Sequence, residues 1–364
     1  MMTERPIIDA IDQVTPDWLN AVLRDSGALP RGSVASVDPG AGQSTFASTT
    51  WRLALTYSAD AHPAAPGRLF LKLSSPARAP GDADPDHVRK EIAFYTTVAP
   101  AMGAGMTIPC YAAAYDPATG ASHLLLRDVS ATHDACLTPI RRNCELAIDA
   151  LADLHAFWWD HPRLGEDIGS YPTPEERQQG WRDAQTCATA FMAALGDQLP
   201  APWRAVYERV LPALPGLSRR HATGRNLTLV HGDAHLGNFL FPRAPEAGAA
   251  YLIDWQFWHP TIGGTDLAFM MATSWEPAIR RALELPLLRR YHDRLLARGV
   301  RGYTGDDCWD DYRLSVILVS IFIPVWQWSI FKWAPSLTGL AASMTAFEDL
   351  ACADLLDGVI ASSG

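Results

Sequence analysis

The stretch Leu229 to Phe241, LVHGDAHLGNFLF, and its sequel YLIDWQFW around Asp254 constrain this chain more than any other feature. Asp233, Asn238 and Asp254 each stand beside an apolar run that reads as a short buried strand. The run Thr228 to Val230 ends in His231-Gly232-Asp233, PRAPEAG makes a turn, and Ala250 to Ile253 brings the chain to Asp254. Carboxylates at adjacent strand ends repel unless a cation lies between them, so a divalent metal is implied. A carboxylate to hold an attacking hydroxyl, with hard oxygen ligands for Mg²⁺, is the set that phosphoryl transfer from a nucleotide requires.

The same residues admit other readings. HGDAHLGN is rich in the Gly, Asp and Asn that turns use. His231, Asp233 and His235, joined by Asp254 and His259, also read as a binuclear site of a metal-dependent hydrolase, with His155 and His221 the remaining histidines. A nucleotide-binding pseudokinase, which binds without transfer, is the third alternative.

At 364 residues the chain exceeds one ordinary core, and two lobes or domains are expected. A formal net charge of −10 leaves no basic stripe to displace counterions from phosphates, which argues against nucleic acid as a partner. Cys110, Cys136, Cys144, Cys187, Cys308 and Cys352 show no zinc spacing and read as thiols of a reducing compartment. The N-terminus, MMTERPIIDAIDQ, lacks a basic region followed by an apolar core, so the expectation is a cytoplasmic protein without a secretory signal. The apolar run Leu314 to Phe331 is interrupted by Pro324 and Gln327 and bounded by Arg313 and Lys332. It reads as a buried, proline-kinked helix pair, with no membrane partner.

Taken in order, Thr15-Pro16-Asp17-Trp18 opens a packing helix with Thr15 as its cap. Residues 34–57 then switch to period two, with Trp51, Leu53, Leu55 and Tyr57 alternating after Gly40 and Gly42. In GAGQSTF, Gly42 and Ser44 are candidate contacts for a polyphosphate, set against an ordinary hairpin. Lys72 is a lone cation in the strand RLFLKL. The loop SSPARAPGDADPDH leads to a helix over 88–98 that offers Glu91 as its partner.

Two more strands, Thr107 to Tyr115 and His123 to Val129, precede a helical remainder, which sets a lobe boundary near 129–140. The backbone of Leu126 to Val129 is the candidate adenine-binding hinge. Asn143 to Trp159 is helical by period, with His155 read as a structural histidine. Residues 171–222 read as amphipathic helices broken by Gly180, Pro200, Pro202 and Pro212.

Beyond Trp275, Tyr303, Trp309, Tyr312, Trp326, Trp328 and Trp333 are equally a pocket wall or ordinary packing. Glu348, Asp349, Asp354 and Asp357 are a candidate attraction for a cationic substrate, set against a solvated face.

HGDAHLGNFLF followed by LIDWQFWHPTIGGTDLAFMM resembles the aminoglycoside phosphotransferase and choline kinase superfamily, most of all its ecdysteroid-kinase-like branch. VTPDWLNAVL, LLLRDVS and LADLHAFWW are similar to family segments in the same order, so the likeness runs to about Met271. The resemblance implies Asp233 as catalytic carboxylate, Asn238 and Asp254 as Mg²⁺ ligands, Lys72 on the phosphates and Glu91 as its partner. It also implies that His231 and Asp266 buttress the catalytic loop. The implied fold is α+β and protein-kinase-like, with a small antiparallel β-rich lobe over 1–129 and a large, mainly helical lobe over 130–364. The implied activity is transfer of the γ-phosphoryl group of ATP, with GTP left open, to a hydroxyl of a small molecule. Antibiotics such as aminoglycosides or nucleosides are among the candidate acceptors; oligomeric state is not written in the sequence. Two departures from the pattern are the glycine loop, with only two glycines, and Arg127 at the hinge where many relatives carry an acid.

Overall fold

Thr15 accepts a hydrogen bond from the Trp18 backbone N–H at 3.2 Å and so starts α1, Pro16–Asp25. Capping by a side-chain oxygen satisfies a donor that a helix start leaves unpaired. In the computed structural model, which describes residues 7–44, 48–74, 85–103, 105–331 and 337–361, the chain forms two compact units. One comprises Met1–Asp134 and Pro242–Phe257; the other comprises Ala135–Phe241 and Trp258–Gly364. The change of pattern near 129–140 gives a single cut, whereas the folded chain returns to its first unit for the segment that carries Asp254. Residues 1–6, Thr45 and Phe46 of the glycine loop, 75–84 of the loop before Glu91, Lys332 and Trp333 lie outside the described residues.

The first unit is an antiparallel sheet with a helix on one face. Strands β1 (Val34–Asp38), β2 (Gln43–Ser44), β3 (Thr49–Tyr57), β4 (Arg68–Ser74), β5 (Cys110–Tyr115) and β6 (Ser122–Arg127) pair in the order β1-β3-β4-β6-β5, with β2 beside β3. Side chains alternate faces along a strand, so Leu69, Leu71 and Leu73 of β4 enter the core with Leu53 and Leu125. Leu19, Val22 and Leu23 of α1 complete that core. Each such leucine contributes roughly 1.5–3 kcal/mol by leaving water. The same alternation turns Lys72 to the other face of β4, opposite Thr50 and Leu124 in the ladder.

Helix α2, Pro85–Ala93, runs through a wide turn at Phe94–Val98 into α3, Ala99–Met102. Phe94 is fully buried and stacks on Trp255, with ring centroids 3.7 Å apart and planes 6° from parallel. That stack fixes the helix carrying Glu91 against the segment carrying Asp254, both within the first unit.

The second unit is helical. Helix α4, Arg141–Trp158, buries Ala147, Ile148, Leu151, Ala152 and Leu154. Among the remaining helices, α5 is Pro174–Leu195, α6 Ala201–Leu217, α7 Gly264–Ala272, α8 Pro277–Ala297, α9 Gly305–Ser315, α10 Ile323–Phe331, α11 Leu337–Asp349 and α12 Cys352–Ala361. Two expected breaks are absent: Gly180 lies inside α5 and Pro212 inside α6. A glycine costs a helix only about 1 kcal/mol, and burial of Val210, Leu211 and Leu214 on α6 offsets what the proline removes. The continuous helical stretch Gly305–Ile330 is long and apolar enough to cross a membrane, and half of its most apolar window is buried inside the fold. Helix α7 is buried at all nine positions. It follows directly on the strand His259–Thr261, which pairs antiparallel with Thr228–Val230.

Inside the first unit His123 accepts a hydrogen bond from the Ile8 backbone N–H through Nδ1 at 3.0 Å, and burial pushes its pKa down to about 4. A histidine held neutral in the fold but free to charge in the unfolded chain favours unfolding as pH falls from about 6.5 to about 4. We expect stability to decline across that window, and we expect the decline to shrink in His123→Gln. Urea unfolding at a series of pH values checks this.

Candidate active site

In the second unit the strand Thr228–Val230 hands over to a loop whose backbone is fixed from below by one carboxylate. Asp266, at the start of α7, accepts from the His231 N–H at 2.7 Å and from the Gly232 N–H at 2.8 Å. Gly232 has φ of +81°, a left-handed conformation that suits glycine, and it turns the chain so that Asp233 follows at the surface of the loop. Asp266 is wholly buried. Burial works against its charge, but hydrogen bonding from His155, the electrostatic influence of the His155 and His231 rings, and the His231 N–H hold its carboxyl below the ordinary range.

The loop then closes on itself. The Asp233 carbonyl accepts from the His235 N–H at 2.8 Å, and Asn238 Nδ2 donates to both the Asp233 carbonyl, at 2.8 Å, and its Oδ2, at 3.0 Å. Asn238 thereby spends its donor on the carboxylate and keeps its amide oxygen as an acceptor. His235 accepts from the Gly237 N–H through Nδ1, which puts the ring proton on Nε2, 3.6 Å from Asp233 Oδ2.

The first unit holds the other half of the predicted set. Lys72 Nζ contacts Glu91 at 2.7 Å and Asp254 Oδ1 at 2.8 Å. Burial works against the Lys72 charge, yet the two carboxylates outweigh it and hold the ammonium well above its ordinary value. Asp254 has φ of +65°, uncommon for a side-chain-bearing residue, in a segment anchored by the Trp255 stack. Gln256 Nε2 donates to the same Asp254 oxygen at 2.9 Å. Ser48, Ser74, Ser122 and Gln256 line a small pocket with Lys72 and Glu91.

Several expectations meet a different local role. Gly42 lies against Trp51: a Cβ there would come within 2.6 Å of the indole Nε1, so packing on β3 accounts for this glycine. Ser44 sits in β2, paired with Thr49 of β3 and 3.2 Å from its hydroxyl. At the hinge, Leu126 is buried within β6, and the Val129 carbonyl accepts from Thr132 and His133, each at 2.9 Å. Tyr303 and Tyr312 are buried and donate to Asp311 at 3.0 Å and Glu284 at 2.5 Å, which is core packing. Asp349 pairs with Arg280 and Arg281, and Asp357 with Arg209, so these two acids are already neutralised from within. Among the described residues no group of three or more His, Cys, Asp and Glu side chains is placed to hold a metal ion, as a binuclear hydrolase would need.

Sequence reasoning missed Gln256 and Ser48. Gln256 had a signal, since a side-chain amide two residues after a strand-end carboxylate reaches back to it readily. Ser48 had none, because nothing in its neighbours sets it beside Lys72 from the far side of a hairpin.

A model of the ecdysteroid kinase-like family matches residues 43–299. Among solved structures, choline kinase from Cryptosporidium parvum Iowa II has a TM-score of 0.53 at 10% identity, with 94% of this chain and 97% of that one covered. Ethanolamine kinase of Plasmodium vivax gives 0.52 at 11% identity, covering 86% and 81%. An inferred aminoglycoside phosphotransferase of Ralstonia eutropha JMP134 gives 0.52 at 14%, covering 92% and 96%. At such identities the likeness is one of fold, here α+β and protein-kinase-like. Curated proteins yield no match. With its own family model spanning well over half its length, the chain belongs to the ecdysteroid kinase-like family.

Proposed function

We propose that the protein transfers the γ-phosphoryl group of ATP to a hydroxyl of a small molecule. The observation that carries the reading is the Lys72 ammonium, shielded from solvent and shared between Glu91 and Asp254. A cation held charged in this way is suited to polyphosphate oxygens, and an ion pair to a helix glutamate fixes its direction.

In this reading Asp233 accepts a hydrogen bond from the acceptor hydroxyl, aims it, and takes its proton late in transfer. The donor from Asn238 holds one carboxylate oxygen in place. Asn238 and Asp254, which the family resemblance implies as Mg²⁺ ligands, each carry a hard oxygen of the kind this ion takes. Bound there, the metal would supply neutralisation of charge on the phosphate oxygens.

Purine choice at residues 126–129 rests on backbone, so ATP is the proposed donor and GTP the control. The acceptor is an uncharged or weakly charged alcohol rather than one drawn by the C-terminal acids, because Asp349 and Asp357 are paired with arginines of the same unit. The six free cysteines fit the reducing compartment proposed for it, the cytoplasm.

Incubation of the full chain with ATP, Mg²⁺ and a panel of hydroxylated metabolites and antibiotics, read by mass spectrometry, should reveal a product heavier by one phosphoryl group. No product from any acceptor class would overturn the proposal. Asp233→Asn should lower turnover by about a thousandfold or more while nucleotide binding persists; turnover within about tenfold of the parent removes Asp233 from its role. Glu91→Gln leaves Lys72 with one carboxylate partner, and we expect kcat/KM for ATP to fall about ten- to a hundredfold, measured in steady state.

A further inference from the structure

His155 and Tyr291 are buried to zero exposure, on α4 and α8, and neither has a part in the chemistry described so far. They form a chain that ends on the catalytic loop. The Tyr291 hydroxyl is 2.7 Å from His155 Nδ1, and His155 Nε2 is 3.2 Å from Asp266 Oδ2.

The direction of this chain follows from chemistry. Asp266 is ionised and only accepts, so His155 carries a proton on Nε2. For the neutral ring, Nδ1 is then the acceptor and Tyr291 the donor, and burial keeps the Tyr291 hydroxyl protonated. The approach is close enough to dictate a glycine: a Cβ on Gly263 would lie 2.3 Å from the Tyr291 hydroxyl and 2.9 Å from His155 Nδ1. His155 is tied to the same strand from its other end, because Thr228 Oγ1 donates to its carbonyl at 2.8 Å.

Asp266 Oδ2 therefore takes two donors, the His155 ring and the His231 N–H, while Oδ1 takes the Gly232 N–H. A carboxylate that lost the ring would be free to swing about its terminal torsion, and both loop N–H groups would move with it.

We propose that Tyr291 and His155 are positioning residues for phosphoryl transfer: Tyr291 holds the His155 ring in place through Nδ1, and His155 locks the Asp266 rotamer that aims Asp233. This rests on the catalytic reading of Asp233 above. It is distinct from a purely stabilising role, because the pair acts through the two N–H groups immediately before Asp233.

The test compares the full-length parent with Tyr291→Phe, His155→Leu and His155→Gln, the last retaining a side-chain N–H donor. In His155→Leu, kcat should fall about ten- to a hundredfold with KM for ATP within about twofold, since misplacement of a reacting group acts on transfer more than on binding. His155→Gln should recover most of that loss. Tyr291→Phe is nearly isosteric and protects the test against misfolding; it should lower kcat about three- to tenfold.

Two readouts need no substrate. Nitrogen NMR should show the His155 Nδ1 resonance of the parent, an acceptor from the tyrosine hydroxyl, shift in Tyr291→Phe where that donor is lost. Amide hydrogen exchange over 228–238 should quicken in His155→Leu by more than tenfold, with α5 and α6 unchanged. An unchanged kcat, loss without rescue by glutamine, an Nδ1 resonance alike in both proteins, or exchange rising evenly through the second unit would each overturn the proposal. If the parent transfers to no acceptor, the functional reading fails, and the Nδ1 and exchange results still decide this one.

Discussion

A buried carboxylate that accepts from two consecutive backbone N–H groups is the interaction on which the loop carrying Asp233 depends. Asp266 holds His231 and Gly232 in this way, and both donors are aimed by a chain reversal that glycine alone enters easily. Leaving an ionised carboxylate buried without partners costs several kcal/mol, so the loop geometry and the charge of Asp266 are mutually dependent. The arrangement is local. Asp266 lies only a few residues beyond the strand His259–Thr261, which pairs with Thr228–Val230, the strand that leads into the loop.

The first unit solves a related problem with opposite charge. Lys72 enters a low-dielectric environment on the back face of β4 and stays charged because two carboxylates surround it. Glu91 arrives on a helix and Asp254 on a loop, and the stack of Phe94 on Trp255 binds those two carriers together. Aromatic stacking of that kind adds about 0.5–1.5 kcal/mol beyond the area it buries, and it acts alongside the Lys72 bridge between the two carboxylates. The left-handed backbone at Asp254 is tolerated because its neighbours on either side are fixed, Leu252 by accepting from the Trp255 indole at 3.2 Å and Gln256 by its bond back to the Asp254 carbonyl at 2.9 Å.

Much of this was legible in the residues. Alternation read the sheet of the first unit, the cap at Thr15 read α1, and a strand lysine followed by a helix glutamate read a pair that lies within 2.7 Å. What resisted was tertiary. Gly42 had a mechanism that fitted a phosphate loop, but the indole of Trp51 lies across it. Pro212 obeyed a local rule that burial of its neighbours overrode. The return of residues 242–257 to the first unit left no mark in periodicity, because a strand looks the same in whichever unit it packs. His155 read as structural from its apolar helix, and only the fold reveals what it touches: a carboxylate 111 positions away.

Two buried carboxylates of the second unit show what is gained when the loop carrying Asp233 is held through backbone N–H groups rather than by an arginine. Asp311 meets Arg220 at 2.8 Å and the Tyr303 hydroxyl at 3.0 Å, yet burial outweighs them and pushes its carboxyl above the ordinary value. Asp266 is no less buried, and its carboxyl is held below that value. The difference lies in the donors. A guanidinium on a long side chain is partly solvated and keeps other partners, among them the carbonyls of Arg225 and Asn226. Two adjacent peptide N–H groups and an imidazole packed under a tyrosine have fixed directions and nowhere else to point. Dipoles fixed by the fold stabilise a charge without reorganising, which is the condition a loop must meet if its carboxylate is to stay aimed while a proton moves.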